Sequence, residues 1–368
     1  MNQIFQSKIL KIFGIFNLLA KSLIKLIGIS LSKFLFFILY LNKLVVVIIR
    51  EDRLGHQVGT LDCELFIAIE RKNKYKLDTI FLLIEPLENV ANKHFRKITG
   101  AIINSFKFRY YILKSKSKHN LFAKFLKGYF PINRRFYFSS KTLAPKIEKG
   151  LLNKSNTSNE ILQKLQIEKE KYICIYSRDS YYLKKRFNSI NWDYHEYRNS
   201  DINNLFLTAK YISKELNIEV VRIGSNPEKK LNWVSNKFPK IIDYSFSEYL
   251  NEKNDIDLIS SCYLYISNGG GPESIAIASK RQMIRINQAP IIEEVCYEFG
   301  IYIPKLLKRF SDKEYISIRE AINLGISNSY HNSEYTKAGI YCEENNETDI
   351  LNALKVFQKF QKNQFNEE

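Results

Sequence analysis

The chain has 368 residues, 45% of them hydrophobic, and 56 Lys plus Arg against 38 Asp plus Glu give a formal charge of +18. That length exceeds one ordinary α/β domain and suits two, with enough apolar sequence to bury sizeable cores. The basic balance favours anionic partners (nucleic acid, acidic lipid or phosphorylated small molecules), and much of the excess lies before Lys154. The five cysteines, Cys63, Cys174, Cys262, Cys296 and Cys342, form no CxxC pair. They exclude a disulfide framework and a zinc spacing, and read as buried thiols in a reducing compartment.

Ile9 to Leu41 is strongly apolar but broken by Lys11, Lys21, Lys25 and Lys33. No lysine-free window there reaches the ~18–20 residues of a spanning helix. The pattern predicts one or two basic amphipathic helices lying on an anionic leaflet, with a helix pair packed on the protein's own domain, or a transmembrane anchor built on Phe34 to Leu41, as the alternatives.

Leu44 to Arg50 (LVVVIIR) is a continuous apolar, β-branched run, as expected of a buried parallel strand. A loop carrying Gly55, His56 and Gly59 follows, then a helix from Thr60 to about Arg71, a strand from Thr79 to Ile84, and a helix opened by Pro86 and running to about Ile103. This β-α-β-α alternation predicts a parallel sheet. The polar stretch from Gly150 to Glu170 marks the inter-domain connection. A second series follows, with strands at Tyr172 to Tyr176, Ile218 to Ile223, Lys240 to Ile242, Tyr263 to Ser267 and, as the last core strand, Met283 to Ile286. Helices are expected over Asp201 to Leu216, ending at Asp255 to Ser261, over Pro272 to Lys280, and over Asp349 to Gln361. The fold class is therefore α/β with two Rossmann-like, doubly wound domains and an N-terminal amphipathic helical segment. The boundaries are 1–43 for the membrane-associating helices, 44–165 and 166–345 for the two domains, and 346–368 for a terminal helix.

Four segments carry candidate chemistry. The first is Ser267-Asn268-Gly269-Gly270-Gly271-Pro272-Glu273-Ser274, which leaves a strand as bare backbone and enters a helix. Exposed N–H groups there suit a diphosphate; the alternative is a tight strand-to-helix turn with no ligand, for which one glycine would serve where this run has three. The run is neither a Walker loop nor G-x-G-x-x-G. Glu273 either accepts from ribose hydroxyls or caps the helix. The second is Arg222 with Gly224 at a strand exit, where a guanidinium fork matches phosphate; a surface salt bridge is the alternative. The third is Arg178 and Asp179 past another strand, with Arg198 and Asp201 beyond; these form either a ligand site or an ion-pair network. The fourth is Arg53-Leu54-Gly55-His56, where the imidazole could take a proton from an acceptor hydroxyl.

Taken together, in this order and spacing, these segments resemble a family of GT-B-type glycosyltransferases encoded in bacterial surface-polysaccharide clusters. The resemblance rests on Leu54-Gly55-His56, Arg178-Asp179, Tyr194 to Asp201 (YHEYRNSD), Val221 to Gly224 (VRIG), Ile242-Asp243-Tyr244 and the glycine turn. It extends to Ala338-Gly339-Ile340 and Asn346-Glu347-Thr348 near the end. It implies a nucleotide-sugar donor held by the second domain and a glycan or lipid-linked acceptor held by the first. On that reading His56 and Asp179 are the catalytic candidates. Arg178, Arg198, Arg222, Gly224, Asn268, Gly269, Gly270, Gly271 and Glu273 face the donor, and Arg53 and Gly55 the acceptor. The only Asp-x-Asp, at 255–257, reads as helical, so metal-independent transfer with no cofactor is expected. The expected location is peripheral, at the cytoplasmic face of a bacterial inner membrane, with no nucleic-acid partner. A pyruvyl-type transferase, a non-catalytic membrane-bound scaffold and a basic nucleic-acid-binding protein are the competing readings.

Overall fold

The computed structural model describes residues 43–50, 55–86, 90–115, 160–186, 191–225, 227–233, 238–291 and 300–364. They fall into two compact units: Met1–Ala91 with Arg96–Ser140, and Asn92–Phe95 with Lys141–Glu368. The amphipathic segment expected over 1–43, apart from its last residue, lies outside the described residues. No helix among the described residues is long and apolar enough to cross a membrane.

The first unit contains a parallel sheet of β1 (Leu44–Arg50), β2 (Asp78–Pro86) and β3 (Arg109–Ser115), in that spatial order. One face of this sheet is buried, with Val47, Ile49, Phe81 and Leu83 shielded from water, while Ile80 and Leu82 on the other face of β2 are half-buried. Helix α1 (Thr60–Tyr75) buries Leu61, Leu65 and Ala68, one stripe at helical spacing. It stops where Lys76 turns left-handed (φ 55°) and donates its N–H to the Arg71 carbonyl. Two expectations are corrected here. Pro86 ends β2 instead of opening a helix, and helix α2 begins only at Lys93, running to Ser105. A proline fits a strand's last position, where no ladder hydrogen bond is required of it. β3 was not foreseen, because RYYILKS mixes charge into the run.

The second unit holds a six-stranded, all-parallel sheet in the order β6-β5-β4-β7-β8-β9. The strands are β4 (Tyr172–Tyr176), β5 (Glu219–Arg222), β6 (Ile241–Ile242), β7 (Leu264–Ser267), β8 (Gln282–Gln288) and β9 (Gly300–Pro304). The chain winds outward from β4 through β5 to β6, returns to the other side of β4 at β7, and winds outward again. That is the doubly wound Rossmann order, with its reversal between β4 and β7. Met283–Ile286 is thus not the last core strand: β9 lies outside β8. Helices α3 (Phe206–Lys214), α4 (Glu252–Ser261) and α5 (Glu273–Ala278) complete the winding. Asn251 caps α4, its side chain accepting from the N–H groups of Lys253 and Asn254.

The terminal helix α6 (Glu347–Gln364) starts on a similar device: Asn346 Oδ1 accepts from Thr348 N at 2.9 Å and Asp349 N at 3.0 Å. It then buries Ile350, Ala353, Leu354 and Phe357 in the same core as Ile173, Ile175, Leu264 and Ile284. Each large side chain of that stripe is worth roughly 1.5–3 kcal/mol of burial. A small antiparallel pair, β10 (Leu306–Arg309) with β11 (Ile340–Glu343), lies beside a second core around Tyr335 and Ala321. Cys174, Cys262 and Cys342 are free thiols, the first two buried.

One buried group makes stability pH-dependent. Asp255 in α4 accepts from Ser225 Oγ at 3.2 Å, and burial pushes its carboxyl up to about 6 from an ordinary 3.8. Between those values the folded chain holds more protons than the unfolded one, so stability falls as pH rises through that window. Asp255→Asn is expected to flatten this slope; urea midpoints measured from pH 4 to pH 7 check it.

Candidate functional site

The reversal of strand order leaves a crevice outside the carboxyl ends of β4 and β7, where open parallel sheets bind ligands. Two chain segments leave the sheet there: Ser177-Arg178-Asp179 after β4, and Asn268 to Gly271 after β7. Asn268 joins them. Its Oδ1 accepts from Arg178 N at 2.7 Å, and its Nδ2 donates to the Arg198 carbonyl at 2.9 Å. The side chain expected to face a donor is thus engaged in tying three loops together.

The glycine turn leaves β7 through left-handed backbone. Gly269 (φ 89°) and Gly270 (φ 107°) sit in the left-handed region, which glycine reaches without strain. Gly269 N–H makes only a long contact with Ser267 Oγ, 3.5 Å, and among the described residues the N–H groups of Gly270 and Gly271 have no partner. Two side chains flank Gly269: a Cβ there would stand 3.7 Å from Arg198 Nη2 and 3.6 Å from Gln288 Oε1. A Cβ on Gly270 would stand 3.3 Å from the ring and hydroxyl of Tyr176, and one on Gly224 (φ 141°) also 3.3 Å from that ring. The two glycines therefore make room for one tyrosine at the end of β4. Burial pushes the Tyr176 phenol up to about 12, so at neutral pH it is a proton donor. Sequence reasoning missed Tyr176 and Gln288; the strand-end position of Tyr176 was the only signal, and nothing in the chain order joined it to both glycines.

Two guanidiniums meet at this edge. Arg178 is buried and donates through Nη1 to Asn199 Oδ1 and, at 3.4 Å, to the His195 carbonyl. Burial, reinforced by the neighbouring Arg198 charge, pulls it below the ordinary arginine range. Among the described residues neither Arg178 nor Arg198 has a carboxylate in ion-pair contact. Two neighbouring cations without a counter-anion, beside unpaired N–H groups, form an electropositive pocket.

Three other expected donor or catalytic residues are occupied by the fold. Arg222 is buried and ion-paired with Asp243 at 3.3 Å, while its Nη1 donates to the Lys229 carbonyl at 2.8 Å. Asp243 Oδ2 also accepts from Leu231 N at 2.8 Å, so the pair holds the segment after β5. Arg222→Ala is expected to cost about 3 kcal/mol of folding stability by leaving the largely shielded Asp243 without its counter-charge; a denaturant midpoint measures it. Glu273 bonds Arg285 at 2.6 Å and accepts from Ser267 Oγ at 2.8 Å, with both ion-pair partners buried. It braces the base of the glycine turn, and a ribose would have to displace a buried arginine to reach it. Asp179 accepts from Tyr181 N at 2.9 Å and Glu228 N at 3.1 Å, the contacts of a loop-closing carboxylate.

In the first unit, Gly55 opens a five-residue π turn, Gly55–Gly59, leading into α1. Arg53 and the side chain of His56 lie outside the described residues. The Asp255-Ile256-Asp257 triplet lies within α4, with Asp257 bonded to Lys253 at 2.7 Å. Among the described residues no group of three or more His, Cys, Asp and Glu side chains could hold a metal ion.

No protein-family model and no curated protein matches the chain. Solved structures do. The chain is similar to the ADP-heptose lipopolysaccharide heptosyltransferase II of E. coli, at 13% identity and a TM-score of 0.44 over 86% of this chain and 99% of that one. It is also similar to a family 9 glycosyl transferase from Veillonella parvula, at 11% identity and a TM-score of 0.41 over 85% and 96%. An E. coli heptosyltransferase solved with ADP-2-deoxy-2-fluoro heptose is a third, at 11% identity and a TM-score of 0.34 over 77% and 99%. All three are glycosyltransferases by description.

Proposed function

We propose that the second unit binds the diphosphate of a nucleotide-sugar at the β4–β7 switch point, and that the chain is a glycosyltransferase acting without a metal. The observation that carries this reading is the Arg198 guanidinium, without a carboxylate partner among the described residues, standing against left-handed Gly269 beside the Gly270 and Gly271 amides, which have no partner among them either. Glycosyl transfer expels a nucleoside diphosphate, on which negative charge grows as the bond to the sugar breaks. Fixed donors aimed at that charge are each worth roughly 2–4 kcal/mol in a site that excludes water. Arg198, the turn amides and the Tyr176 hydroxyl supply them. Helix α5 has only six residues, so its dipole adds little and the guanidinium is the larger contribution.

Asp179, Asn268, Arg222 and Glu273 act as the frame of this pocket, and Gly224 as the space for Tyr176. His56 in the first unit is the proposed base for the acceptor hydroxyl, with Arg53 and Gly55 on the acceptor side. The acceptor is a glycan or lipid-linked sugar of a bacterial surface polysaccharide, met at the cytoplasmic face of the inner membrane through the basic segment 1–43. This assignment follows the sequence resemblance.

The test is release of nucleoside diphosphate from a panel of nucleotide-sugars, with an E. coli-type lipid-linked oligosaccharide fraction as acceptor. Acceptor-dependent release that survives excess EDTA is the expected result. Release abolished by EDTA and restored by a divalent cation would reject the metal-independent mechanism. Binding of none of the nucleotide-sugars would reject the function.

A further inference from the structure

We infer that Lys305, just past β9, is a positioning residue that holds the Arg198 guanidinium against the glycine turn; this rests on the diphosphate reading of the pocket. Arg198 ends a short 3-10 helix, Asp193–Arg198, and Asn199 and Ser200 follow without regular structure, so these three backbone carbonyls must find partners elsewhere. All three do, each from a side chain at a different strand end. Asn268 Nδ2 after β7 donates to the Arg198 carbonyl at 2.9 Å. Lys305 Nζ donates to the Asn199 carbonyl at 2.5 Å. Ser177 Oγ after β4 donates to the Ser200 carbonyl at 2.5 Å. Three consecutive carbonyls fastened at three points leave the Arg198 backbone little freedom.

Of the three donors, Lys305 is the costly one. It is 4% exposed, and an ammonium so shielded is disfavoured unless its hydrogen bonds are well made. Its nearest carboxylate, Glu344, stands 3.8 Å away and already accepts from Asp201 N at 2.9 Å and Asn204 Nδ2 at 2.9 Å. Burial accordingly pulls the Lys305 ammonium below its ordinary range. Lys305 also bonds a second residue beside the turn: its backbone N–H donates to the Gln288 carbonyl at 3.0 Å, and the Gln288 side chain, like that of Arg198, lies next to Gly269. One residue thus fastens the main chain at or next to both residues that line Gly269. Because Lys305 itself bonds the Asn199 main chain, its effect on a bound anion runs through Arg198.

Pyrophosphate titrated into the full chain by calorimetry tests this. The wild type binds, and Arg198→Ala weakens binding by at least about tenfold, the loss of one charge-assisted hydrogen bond. Lys305→Met is expected to weaken it by a similar factor, and Lys305→Arg to restore most of it. In the Arg198→Ala background Lys305→Met should change affinity by less than about twofold, because the group it positions is gone. A field effect of the Lys305 charge would persist in that background and overturns the positioning role. So does a Lys305→Met protein with wild-type affinity. Should Lys305→Met not fold, Ser177→Ala, which removes a neighbouring fastening, must show the same dependence on Arg198; independent effects reject the inference. If Arg198→Ala binds pyrophosphate as the wild type does, the pocket reading itself fails, which the Lys305 result alone cannot produce.

Discussion

Arg198→Ala is expected to weaken nucleoside diphosphate binding by about 2 kcal/mol, roughly thirtyfold, while leaving folding stability almost unchanged. The two halves of that expectation come from the same fact. Among the described residues the guanidinium has no carboxylate partner to abandon, and it is only half-buried, so the fold loses little. Its neighbour Arg178 gains slightly, since the Arg198 charge opposes its own ionisation. The ligand, by contrast, loses a fork of donors matched to phosphate oxygens. Arg198→Lys keeps the charge without the fork and should fall between the two. Calorimetric affinity beside a thermal melt reads both quantities; equal affinities in wild type and Arg198→Ala would remove the residue from the site.

Glu273→Ala should show the opposite signature, a loss of about 3–5 kcal/mol in folding stability. The carboxylate is buried against Arg285 at 2.6 Å and also takes the Ser267 hydroxyl at 2.8 Å. Removing it leaves a guanidinium in the sheet without its counter-charge and loosens the strand end from which the glycine turn departs. Glu273→Gln keeps the shape and the hydroxyl contact and should cost less. Urea denaturation measures both variants. A Glu273→Ala protein as stable as the wild type but defective in ligand binding would restore the ribose-contact reading that the sequence left open.

The parallel architecture was legible wherever one strand's burial shows in one uninterrupted run. LVVVIIR, YICIY and LYIS each announce a strand, the last two buried on both faces, and the glycines after LYIS announce bare backbone at its exit. Local signals failed where partners are distant. Pro86 looks like a helix opener until β2 is seen to end on it. Arg222 resembles a phosphate ligand in its own segment. Its counter-charge, Asp243, lies 21 residues away and is visible only in the folded sheet. Glu273 and Arg285 hide the same way, on α5 and β8. Tyr176 and Lys305 were unreadable for a related reason. Each acts where several strand ends converge, and chain order carries no record of that convergence. The Arg198 contribution was legible only as one arginine among several, and its place beside Gly269 is what singles it out.

A crystal structure of the chain with a bound nucleoside diphosphate tests the central claim most directly. The account predicts a phosphate oxygen within about 3 Å of the Arg198 guanidinium and of the Gly270 or Gly271 amide, over the Tyr176 ring. A diphosphate held elsewhere, with Arg198 turned to solvent and the glycine turn empty, would contradict it.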